Sequence, residues 1–342
     1  MKDAEDLVVR MVYLEGDHTQ IGIDQSKELE YESLRKQVNL LQRSTEHADA
    51  SKGKRALQRI APTLLNELKG LAKGLSTPIE TIIKRYSGYN MLFPKMGCTA
   101  LVRDGHYVGN YDFSPDLYDA RLVFLKPTYG FASVGFSHQL IGRLDGMNEK
   151  GLVVGLHFVN NTEKEEGFSA PTIVRILLES CRNIDEAITT LMTLPHAHCY
   201  NYSLTDRSGE SAVVEASPRF QVTTRTTCLS CTNHFESKRL RGENRQQISG
   251  SLKRKEHLKT MLVKKASPWS LYHQFNNDGS PLFYKDYQAY FGTLHTVVYS
   301  PKELSLIVGV GENCDPRMFS FKDYVDGSPI PFRFLQGSIK QA

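Results

Sequence analysis

The chain has 342 residues, of which 40% are hydrophobic and 23% charged, a balance typical of folded globular proteins and not of disordered or fibrous ones. A formal net charge of +4 is too small to favour nucleic acid as a partner. No apolar run approaches the roughly 20 residues that cross a bilayer, and the acidic start MKDAEDLVVR does not resemble a signal peptide, so we expect a cytoplasmic protein with no membrane partner.

Helical periodicity dominates the amino-terminal part of the sequence. From Ser26 to Tyr86, apolar residues recur mostly at intervals of three and four, which predicts two or three amphipathic helices. These residues are Leu34, Val38, Leu41, Leu57, Ile60, Leu64, Leu65, Leu68 and Leu71. The run Thr77-Pro78-Ile79-Glu80 predicts the start of the last helix, with Thr77 as its cap and its end near Tyr86. We expect this helical pattern to end near Met96.

After about residue 90, short β-branched and aromatic runs separated by turn residues predict strands. The predicted strands are Cys98 to Arg103, His106 to Asp112, Arg121 to Leu125, Leu152 to Val159, Cys199 to Thr205, Ser211 to Ala216, Thr293 to Tyr299 and Leu304 to Val310. The predicted helices are Pro171 to Arg182, Asp185 to Leu194 and Glu236 to Lys264. Because these elements do not alternate as βαβ units, we expect an α+β fold in which helices cover largely antiparallel sheets.

Gly97 and Cys98 stand where the helical pattern gives way to strands. The dipeptide Asp104-Gly105 predicts a tight type I′ hairpin directly after them. A two-residue turn fixes the register, so Gly97 is expected opposite Asp112, and Cys98 opposite Tyr111. Alternation along the strand places the Asp112 side chain on the other face from the Cys98 thiol. We therefore expect this carboxylate to reach the backbone nitrogen of residue 98 more easily than its sulfur.

This arrangement makes chemical sense if Cys98 becomes an amino terminus. A free α-amine has a reference pKa of about 7.7–8.0 and can act as general base for the thiol of its own residue, whose reference pKa is about 8.5. Gly97 suits a self-cleavage site, because a residue without Cβ tolerates the strained backbone that attack on its carbonyl requires. An N-to-S acyl shift and hydrolysis of the resulting thioester would free Cys98.

Four stretches carry a family resemblance. GCTALVRDGHYVGNYDF, from Gly97 to Phe113, resembles the nucleophile hairpin of the N-terminal-nucleophile hydrolases of the acyl-coenzyme A:6-aminopenicillanic acid acyltransferase family, relatives of the choloylglycine hydrolases. LEGDHTQIGIDQ from Leu14, GMNEKGLVVGLHF from Gly146 and SCTNHF from Ser230 resemble further family motifs in the same order. Weaker similarity in LTDRSGESAVVEASP and TLHTVVYSP extends the resemblance over nearly the whole chain.

The resemblance implies a fold and a division of the chain. The fold is an αββα sandwich of two antiparallel sheets between helical layers, with a helical amino-terminal segment. An inactive precursor is cut before Cys98. This leaves a segment 1–97, either released or retained, and a catalytic chain 98–342, which together form one domain.

The resemblance also implies roles for individual residues. Cys98 is the nucleophile, Asp112 orients the new amine and tunes the thiol, and Asn233 donates its side-chain amide to the oxyanion of the tetrahedral intermediate. Asn110 supports the same hairpin, and Gly97 precedes the cleavage point.

Two positions depart from the pattern of the choloylglycine hydrolases. Gly109 precedes Asn110 where those enzymes carry Arg in an Arg-Asn-x-Asp motif, so bile-salt hydrolysis by that arrangement is not expected. The acyltransferase branch is the closer match. His157 stands where many choloylglycine hydrolases have Asn in Gly-Leu-Asn, which makes it a candidate for the substrate region.

The remaining cysteines and histidines give little sign of a metal or redox site. The six scattered cysteines are expected to be reduced thiols. Cys228-Leu229-Ser230-Cys231 has the spacing of a metal or redox pair, but no second pair accompanies it, and His196-Ala197-His198-Cys199 is equally weak. No metal or other cofactor is expected.

Two further segments leave alternatives open. From Lys238 to Lys265, ten Lys or Arg residues stand against Glu243 and Glu256, which favours helices with a solvated basic face over binding of an anionic partner. The second segment is rich in aromatic residues, which are more typical of a core than of a wall that binds an acyl group. Its members are Trp269, Tyr272, Phe275, Phe283, Tyr284, Tyr287, Tyr290 and Phe291.

Three functions are compatible with these observations. The leading hypothesis is a self-cleaving amidohydrolase that acts on the linear C–N bond of a small-molecule N-acyl amide through a thioester on Cys98. The second is acyl transfer to an amine, with an amide or acyl-CoA as donor. The third is an uncleaved, non-catalytic protein that binds a partner through residues 238–265. The acyl group, the amine and the oligomeric state, a homo-oligomer included, stay open.

Overall fold

Two β-sheets pack face to face at the centre of the fold, and helices cover the outer faces. The computed structural model describes residues 5–31, 34, 45, 48–91, 96–160, 162, 164–262, 265–287 and 291–340. Its strands are β1 (Glu5–Gly16), β2 (Gly97–Arg103), β3 (His106–Phe113), β4 (Arg121–Pro127), β5 (Ser133–His138), β6 (Gly142–Arg143), β7 (Asp145–Asn148), β8 (Val153–Asn160), β9 (Cys199–Thr205), β10 (Ser211–Ala216), β11 (Gln221–Thr226), β12 (Leu229–Cys231), β13 (Lys285–Asp286), β14 (Phe291–Ser300), β15 (Ser305–Val310), β16 (Arg317–Ser320) and β17 (Phe334–Ile339). Its helices are α1 (His18–Glu28), α2 (Ala50–Ile60), α3 (Pro62–Gly74), α4 (Ile79–Tyr86), α5 (Ala170–Ser180), α6 (Ile184–Thr193), α7 (Ser249–Met261), α8 (Pro268–Phe275) and α9 (Phe321–Val325). The predicted α+β class, with two sheets between helical layers, is confirmed.

The two sheets differ in size. The larger has ten strands in the order β11-β10-β9-β8-β7-β5-β4-β1-β17, with β6 beside β5. The smaller has seven in the order β12-β2-β3-β14-β15-β16, with β13 beside β14. Across the part of the chain that the structure describes, every strand pair is antiparallel except β1 with β4. No helix in that part is long and apolar enough to cross a membrane.

Tyrosines of the smaller sheet fasten it to the larger one. The hydroxyl of Tyr107 lies 3.1 Å from Ser203 Oγ, and Tyr299 donates to Asp145 Oδ1 at 2.8 Å. Gly155 of β8 is required here, because a Cβ at this position would lie 1.9 Å from the Tyr107 hydroxyl oxygen. The close approach brings β2, the strand that contains the candidate nucleophile, against β8.

The amino-terminal segment is not wholly helical, contrary to the prediction, because it opens with β1. This strand lies inside the larger sheet, parallel to β4 and antiparallel to β17. Leu7, Val9 and Met11 are buried in the main core at every second position, the spacing that a half-buried strand requires. Segment 1–97 therefore contributes an interior strand as well as a helical layer.

The helices predicted between residues 26 and 86 are confirmed where the structure describes them, as α2, α3 and α4. The predicted cap is wrong. Helix α4 begins at Ile79 after Pro78, and Thr77 donates its hydroxyl to the Leu75 carbonyl at 3.1 Å instead of capping α4. The hydroxyl is thus used by the end of the preceding helix. The predicted positions Val38, Leu41, Lys264 and Tyr290 lie outside the described residues.

The predicted helix from Glu236 to Lys264 is interrupted. Residues 241–243 form a 3-10 turn, and α7 begins only at Ser249. The Phe235 N–H donates to Asn244 Oδ1 at 2.7 Å, and Asn244 Nδ2 donates back to the Phe235 carbonyl at 2.9 Å. This reciprocal pair holds the segment in a closed loop, which local helical periodicity does not reveal.

The β2–β3 hairpin has the predicted register. Asp104 and Gly105 have φ values of +50° and +79°, as a type I′ turn requires. Gly97 lies opposite Asp112, and Cys98 lies opposite Tyr111. The two turn residues thus predict the register correctly as far as the candidate nucleophile Cys98, which lies seven residues before Gly105.

A buried ion network joins segment 1–97 to the rest of the chain. Arg175 of α5 contacts Glu67 of α3 at 2.8 Å and Glu179 at 2.9 Å. His18 Nε2 lies 2.8 Å from the other carboxylate oxygen of Glu179. The side chains of Arg175 and Glu67 are completely buried, so each charge depends on its partners for compensation.

We expect Glu67→Gln to lower the free energy of unfolding by about 3 kcal/mol, because Arg175 loses one of its two buried counter-charges. The matched control is Asp185→Asn, which breaks an ion pair with Arg225 on the surface and should change stability little. Denaturant unfolding of both variants is the measurement. Equal losses of unfolding free energy in the two variants would show that the buried ion pair stabilises the fold no more than the surface pair does.

Candidate active site

The peptide nitrogen of Cys98 is held by Asn233. Cys98 lies at the end of β2 remote from the turn and is completely buried. Its N–H donates to Asn233 Oδ1 at 3.0 Å. The expected contact between Asp112 and this nitrogen is not made in the uncut chain, because the amide oxygen of Asn233 accepts its hydrogen.

Asn233 is fixed by three further hydrogen bonds. Its Nδ2 donates to the Phe158 carbonyl at 2.8 Å, its main-chain nitrogen donates to Ser251 Oγ at 2.8 Å, and Arg254 Nη2 donates to its Oδ1 at 2.7 Å. In the uncut chain, the side-chain oxygen of Asn233 therefore faces Cys98, and its side-chain NH2 group faces β8. Its role as an oxyanion donor stays a prediction.

Arg254 is the functional candidate that sequence reasoning missed. Its Nη1 donates to the Cys98 carbonyl at 2.9 Å and to Thr99 Oγ1 at 2.6 Å, and the same nitrogen lies 3.4 Å from Asp112 Oδ2. The side chain is 1% exposed, so Arg254 is not part of the solvated basic face that was predicted for its segment. Its neighbour Lys255 is also buried, and it donates to the Ser230 carbonyl at 2.8 Å.

Asp112 is a buried carboxylate beside the candidate cleavage point. Thr293 Oγ1 donates to its Oδ1 at 2.6 Å, and Arg254 approaches its Oδ2. Burial raises the pKa of Asp112, while Arg254 and Thr293 oppose the rise. A Cβ built on Gly97 would lie 3.1 Å from Asp112 Oδ2, so the predicted proximity of Asp112 to the junction of residues 97 and 98 is confirmed.

Gly97 lies under an aromatic side chain. A Cβ at this position would lie 2.2 Å from Phe291 Cζ. Its φ is not in the left-handed region. A side chain at this position would force the Phe291 ring to move, and the resting backbone of Gly97 is not strained.

Tyr284 and Phe291 form the wall above this junction. Their rings meet edge to face, with centroids 5.1 Å apart, and Arg254 Cζ lies 5.2 Å from the Tyr284 centroid. Both residues are only partly buried. Elsewhere in the aromatic segment, Tyr272 and Phe275 belong to the core beneath the smaller sheet, so the predicted core role is confirmed for these two.

The environment of the Cys98 thiol disfavours its ionised form. Burial, reinforced by the negative charge of Asp112, raises the pKa of the thiol far above its ordinary value. The Phe158 backbone and Arg254 oppose this rise. In the uncut chain, Cys98 is therefore a protonated thiol and a weak nucleophile.

His157 and Asn110 occupy different sides of the hairpin. His157 Nε2 lies 2.8 Å from Ser203 Oγ, and burial lowers its pKa to about 3 despite an opposing interaction with the Cys98 backbone. This imidazole is neutral at physiological pH. Asn110 donates to the Phe275 and Leu282 carbonyls at 3.1 and 3.0 Å, which fastens the hairpin to the end of α8.

The other cysteines form no second centre. All six cysteines have free thiols; Cys228 is exposed and Cys231 is buried. Among the described residues, no group of three or more His, Cys, Asp or Glu side chains is arranged to hold a metal ion.

Comparison with known proteins identifies the family of the chain. Residues 102–314 match the family described as Acyl-coenzyme A:6-aminopenicillanic acid acyl-transferase, a span of more than half of the 342 residues. The chain belongs to this family. The matched span contains Asn110, Asp112, His157 and Asn233 and begins just after Cys98.

Three solved structures are similar at low sequence identity. Penicillin V acylase from Agrobacterium tumefaciens matches 67% of this chain and 86% of its own, with 13% identity and a TM-score of 0.42. A mutant of the conjugated bile acid hydrolase from Clostridium perfringens matches 72% of this chain and 97% of its own, with 13% identity and a TM-score of 0.44. An orthologue of N-acylethanolamine-hydrolyzing acid amidase from Caenorhabditis elegans matches 61% and 93%, with 12% identity and a TM-score of 0.37. No curated protein sequence matched.

We expect Arg254→Met to lower the free energy of unfolding by about 3–5 kcal/mol, because Asp112 then becomes an uncompensated buried charge. Adding Asp112→Asn should recover part of this loss. The matched control is Lys253→Met, which removes an exposed charge from the same helix and should change stability little. If the double variant is no more stable than Arg254→Met, the two side chains are not coupled as described.

We expect native alkylation by iodoacetamide at pH 7.5 to modify Cys98 of the uncut chain at least about 100-fold more slowly than the exposed Cys228, because its pKa is raised and it is buried. The tryptic peptide from Met96 to Arg103 reports uncut chain alone, so mass spectrometry of this peptide gives the rate. Similar rates at the two cysteines would contradict the described thiol environment.

Proposed function

We propose that this protein is a self-cleaving amidohydrolase that acts on linear N-acyl amides through a thioester on Cys98. One observation carries the proposal: Asn233 and Arg254 converge on the two backbone polar groups of Cys98. Asn233 accepts from its N–H at 3.0 Å, and Arg254 donates to its carbonyl at 2.9 Å. A buried cysteine held at both of its backbone polar groups is pre-organised to keep its position after the preceding bond is cut.

The first step is cleavage between Gly97 and Cys98. The Cys98 sulfur attacks the Gly97 carbonyl carbon as its thiol proton passes to the departing nitrogen. The C–N bond breaks, which leaves the free amine of residue 98 and a thioester between Gly97 and the Cys98 sulfur. Water then hydrolyses the Gly97 thioester, which gives a carboxylate on Gly97 and a free thiol on Cys98. No oxidant or other co-reactant is needed.

The new amine remains where the peptide nitrogen was. Asn233 Oδ1 already accepts a hydrogen from this nitrogen, and Asp112 lies beside it to favour the protonated amine that forms during catalysis. A free α-amine has a reference pKa of about 7.7–8.0, so at neutral pH part of the population is neutral and accepts the thiol proton. Cleavage thus supplies the base that the uncut chain lacks.

Turnover repeats the same chemistry on a substrate. The thiolate attacks the amide carbonyl, the protonated amine of Cys98 returns a proton to the leaving amine, and an acyl thioester remains. Water releases the acid. Asn233 Nδ2 would stabilise the oxyanion of the tetrahedral intermediate after turning from Phe158, and His157 borders the substrate region as a neutral donor or acceptor.

Acyl transfer is the second candidate, because the family description names an acyl-transferase. Water and an acceptor amine compete for the same thioester, and acyl-CoA is an alternative source of the acyl group. An acceptor amine that diverts product from the acid and raises the overall rate would favour transfer. The third candidate, binding through residues 238–265, is weakened by the burial of Arg254 and Lys255.

We also propose that segment 1–97 stays bound after cleavage. Its strand β1 pairs with β4 on one side and β17 on the other, and Glu67 supplies a buried counter-charge to Arg175. Release would open the larger sheet and leave this arginine with fewer partners.

We expect the purified protein to consist of two chains of 97 and 245 residues (342 minus 97), about 11 and 28 kDa in proportion to the 38.7 kDa whole, that elute together without denaturant. Cys98→Ala should remain whole and inactive, whereas the matched control Cys231→Ala should cleave. Intact mass and gel filtration are the measurements. A wild-type chain that stays whole yet hydrolyses N-acyl amides would exclude the mechanism.

A further inference from the structure

The ring of Phe291 lies directly over the α-carbon of Gly97. A Cβ on Gly97, in the direction of an L side chain, would lie 2.2 Å from Phe291 Cζ and 2.8 Å from Phe291 Cε2. Both separations are well below the distance of about 3.5–4.0 Å at which two carbon atoms make favourable contact. On this side, the α-carbon that precedes the candidate nucleophile has room for a hydrogen atom but not for a side chain.

The Phe291 ring is held in place by its surroundings. Phe291 pairs with Asp286 where β13 meets β14. The Thr293 N–H donates to the Tyr284 carbonyl at 2.9 Å, and the Tyr284 N–H donates to Thr293 Oγ1 at 2.9 Å. The Tyr284 ring meets the Phe291 ring edge to face, with centroids 5.1 Å apart. Because the backbone is fixed and a second ring supports the first, displacing the Phe291 ring costs free energy.

Self-cleavage would remove Gly97 from beneath this ring. Hydrolysis of the thioester leaves a carboxylate on Gly97, and Asp112 lies beside the same junction, with its Oδ2 3.1 Å from the Cβ position of Gly97. Two carboxylates this close together repel each other in a buried site. Arg254 is already engaged by the Cys98 carbonyl and by Asp112. The Gly97 carboxylate would therefore leave and free the space under the ring, while β1 and α3 hold the remainder of segment 1–97.

From this geometry we infer that Phe291 determines specificity at the α-carbon of the acyl group, because its ring excludes a substituent on one side of that carbon. The Gly97 thioester and the substrate thioester form on the same Cys98 sulfur, and water attacks both at the thioester carbonyl. The α-carbon of the acyl group therefore takes the place of the Gly97 α-carbon. An acyl group with an α-CH2 fits under the ring, whereas an α-branched acyl group fits only as one enantiomer. This inference rests on the proposed function and narrows its substrate class.

The test uses the two enantiomers of an N-(2-methylacyl) amide of an achiral amine, because enantiomers have the same intrinsic reactivity. When the acyl chain follows the direction of the Gly97 nitrogen, the methyl group of the (R) enantiomer takes the L Cβ position. We expect the cleaved wild-type protein to hydrolyse the (S) enantiomer with a kcat/KM at least about 10-fold higher than that of the (R) enantiomer. Phe291→Ala should accelerate the (R) reaction and reduce this ratio to less than about threefold, and Phe291→Leu should give an intermediate ratio.

Phe334→Ala, which removes an exposed ring from β17, is the matched control and should keep the wild-type ratio. Intact mass shows whether each variant is cleaved, and Phe291→Leu supplies the comparison if Phe291→Ala stays whole. Equal rates for the two enantiomers in the wild-type protein, a preference for the (R) enantiomer, or a ratio that survives the loss of the Phe291 ring would overturn the inference.

Activated esters separate this inference from the proposed function. The p-nitrophenyl esters of the same two 2-methyl acids acylate a reactive thiol even where amides are not hydrolysed, and the burst of p-nitrophenolate gives the rate, with peptide mass spectrometry to locate the acyl group. If Cys98 is acylated with an (S) preference that depends on Phe291 but no amide is hydrolysed, the hydrolase function fails and the role of Phe291 stands. If amides are hydrolysed through Cys98 without this preference, the role of Phe291 is overturned and the function stands. If neither esters nor amides acylate Cys98, both are overturned.

Discussion

The arrangement of the candidate site depends on the guanidinium of Arg254. It donates to the carbonyl of Cys98, to Thr99 Oγ1 and to Asn233 Oδ1. The same group is the counter-charge of Asp112, so one side chain from α7 fixes the backbone of the nucleophile, orients its amide partner and keeps a buried carboxylate paired. Without this cation, burial would leave Asp112 unpaired and the end of β2 unanchored.

The packing of the sheets explains why such a site forms inside the protein. Tyrosines of the smaller sheet contact polar groups of the larger one. Because Gly155 has no side chain, the Tyr107 hydroxyl fits against it, and β2 packs closely against β8. Cys98 therefore begins buried and protonated. Cleavage at Gly97 would change the chemistry of this residue without moving it, because the contacts that hold it do not involve segment 1–97.

The sequence predicts the hairpin well, because the turn Asp104-Gly105 fixes the register by its local geometry. The pairing of Gly97 with Asp112 follows from that register. Strand β1 is missed because the run from Leu7 to Leu14 is almost wholly apolar and is broken only by Arg10, so it lacks the alternation that marks a half-buried strand. Arg254 is missed for another reason. It stands in a run of basic residues, and only the tertiary packing of α7 turns it inward. The direction of the Asn233 amide is likewise set by Phe158, which is distant in sequence and reached only in the fold.

The most direct test of the account is to trap the acyl intermediate with a slowly hydrolysed N-acyl substrate and locate the adduct by peptide mass spectrometry. The account predicts an acyl group on the sulfur of a peptide whose amino terminus is Cys98. An adduct on another residue, or on a Cys98 that is still joined to Gly97, would contradict it.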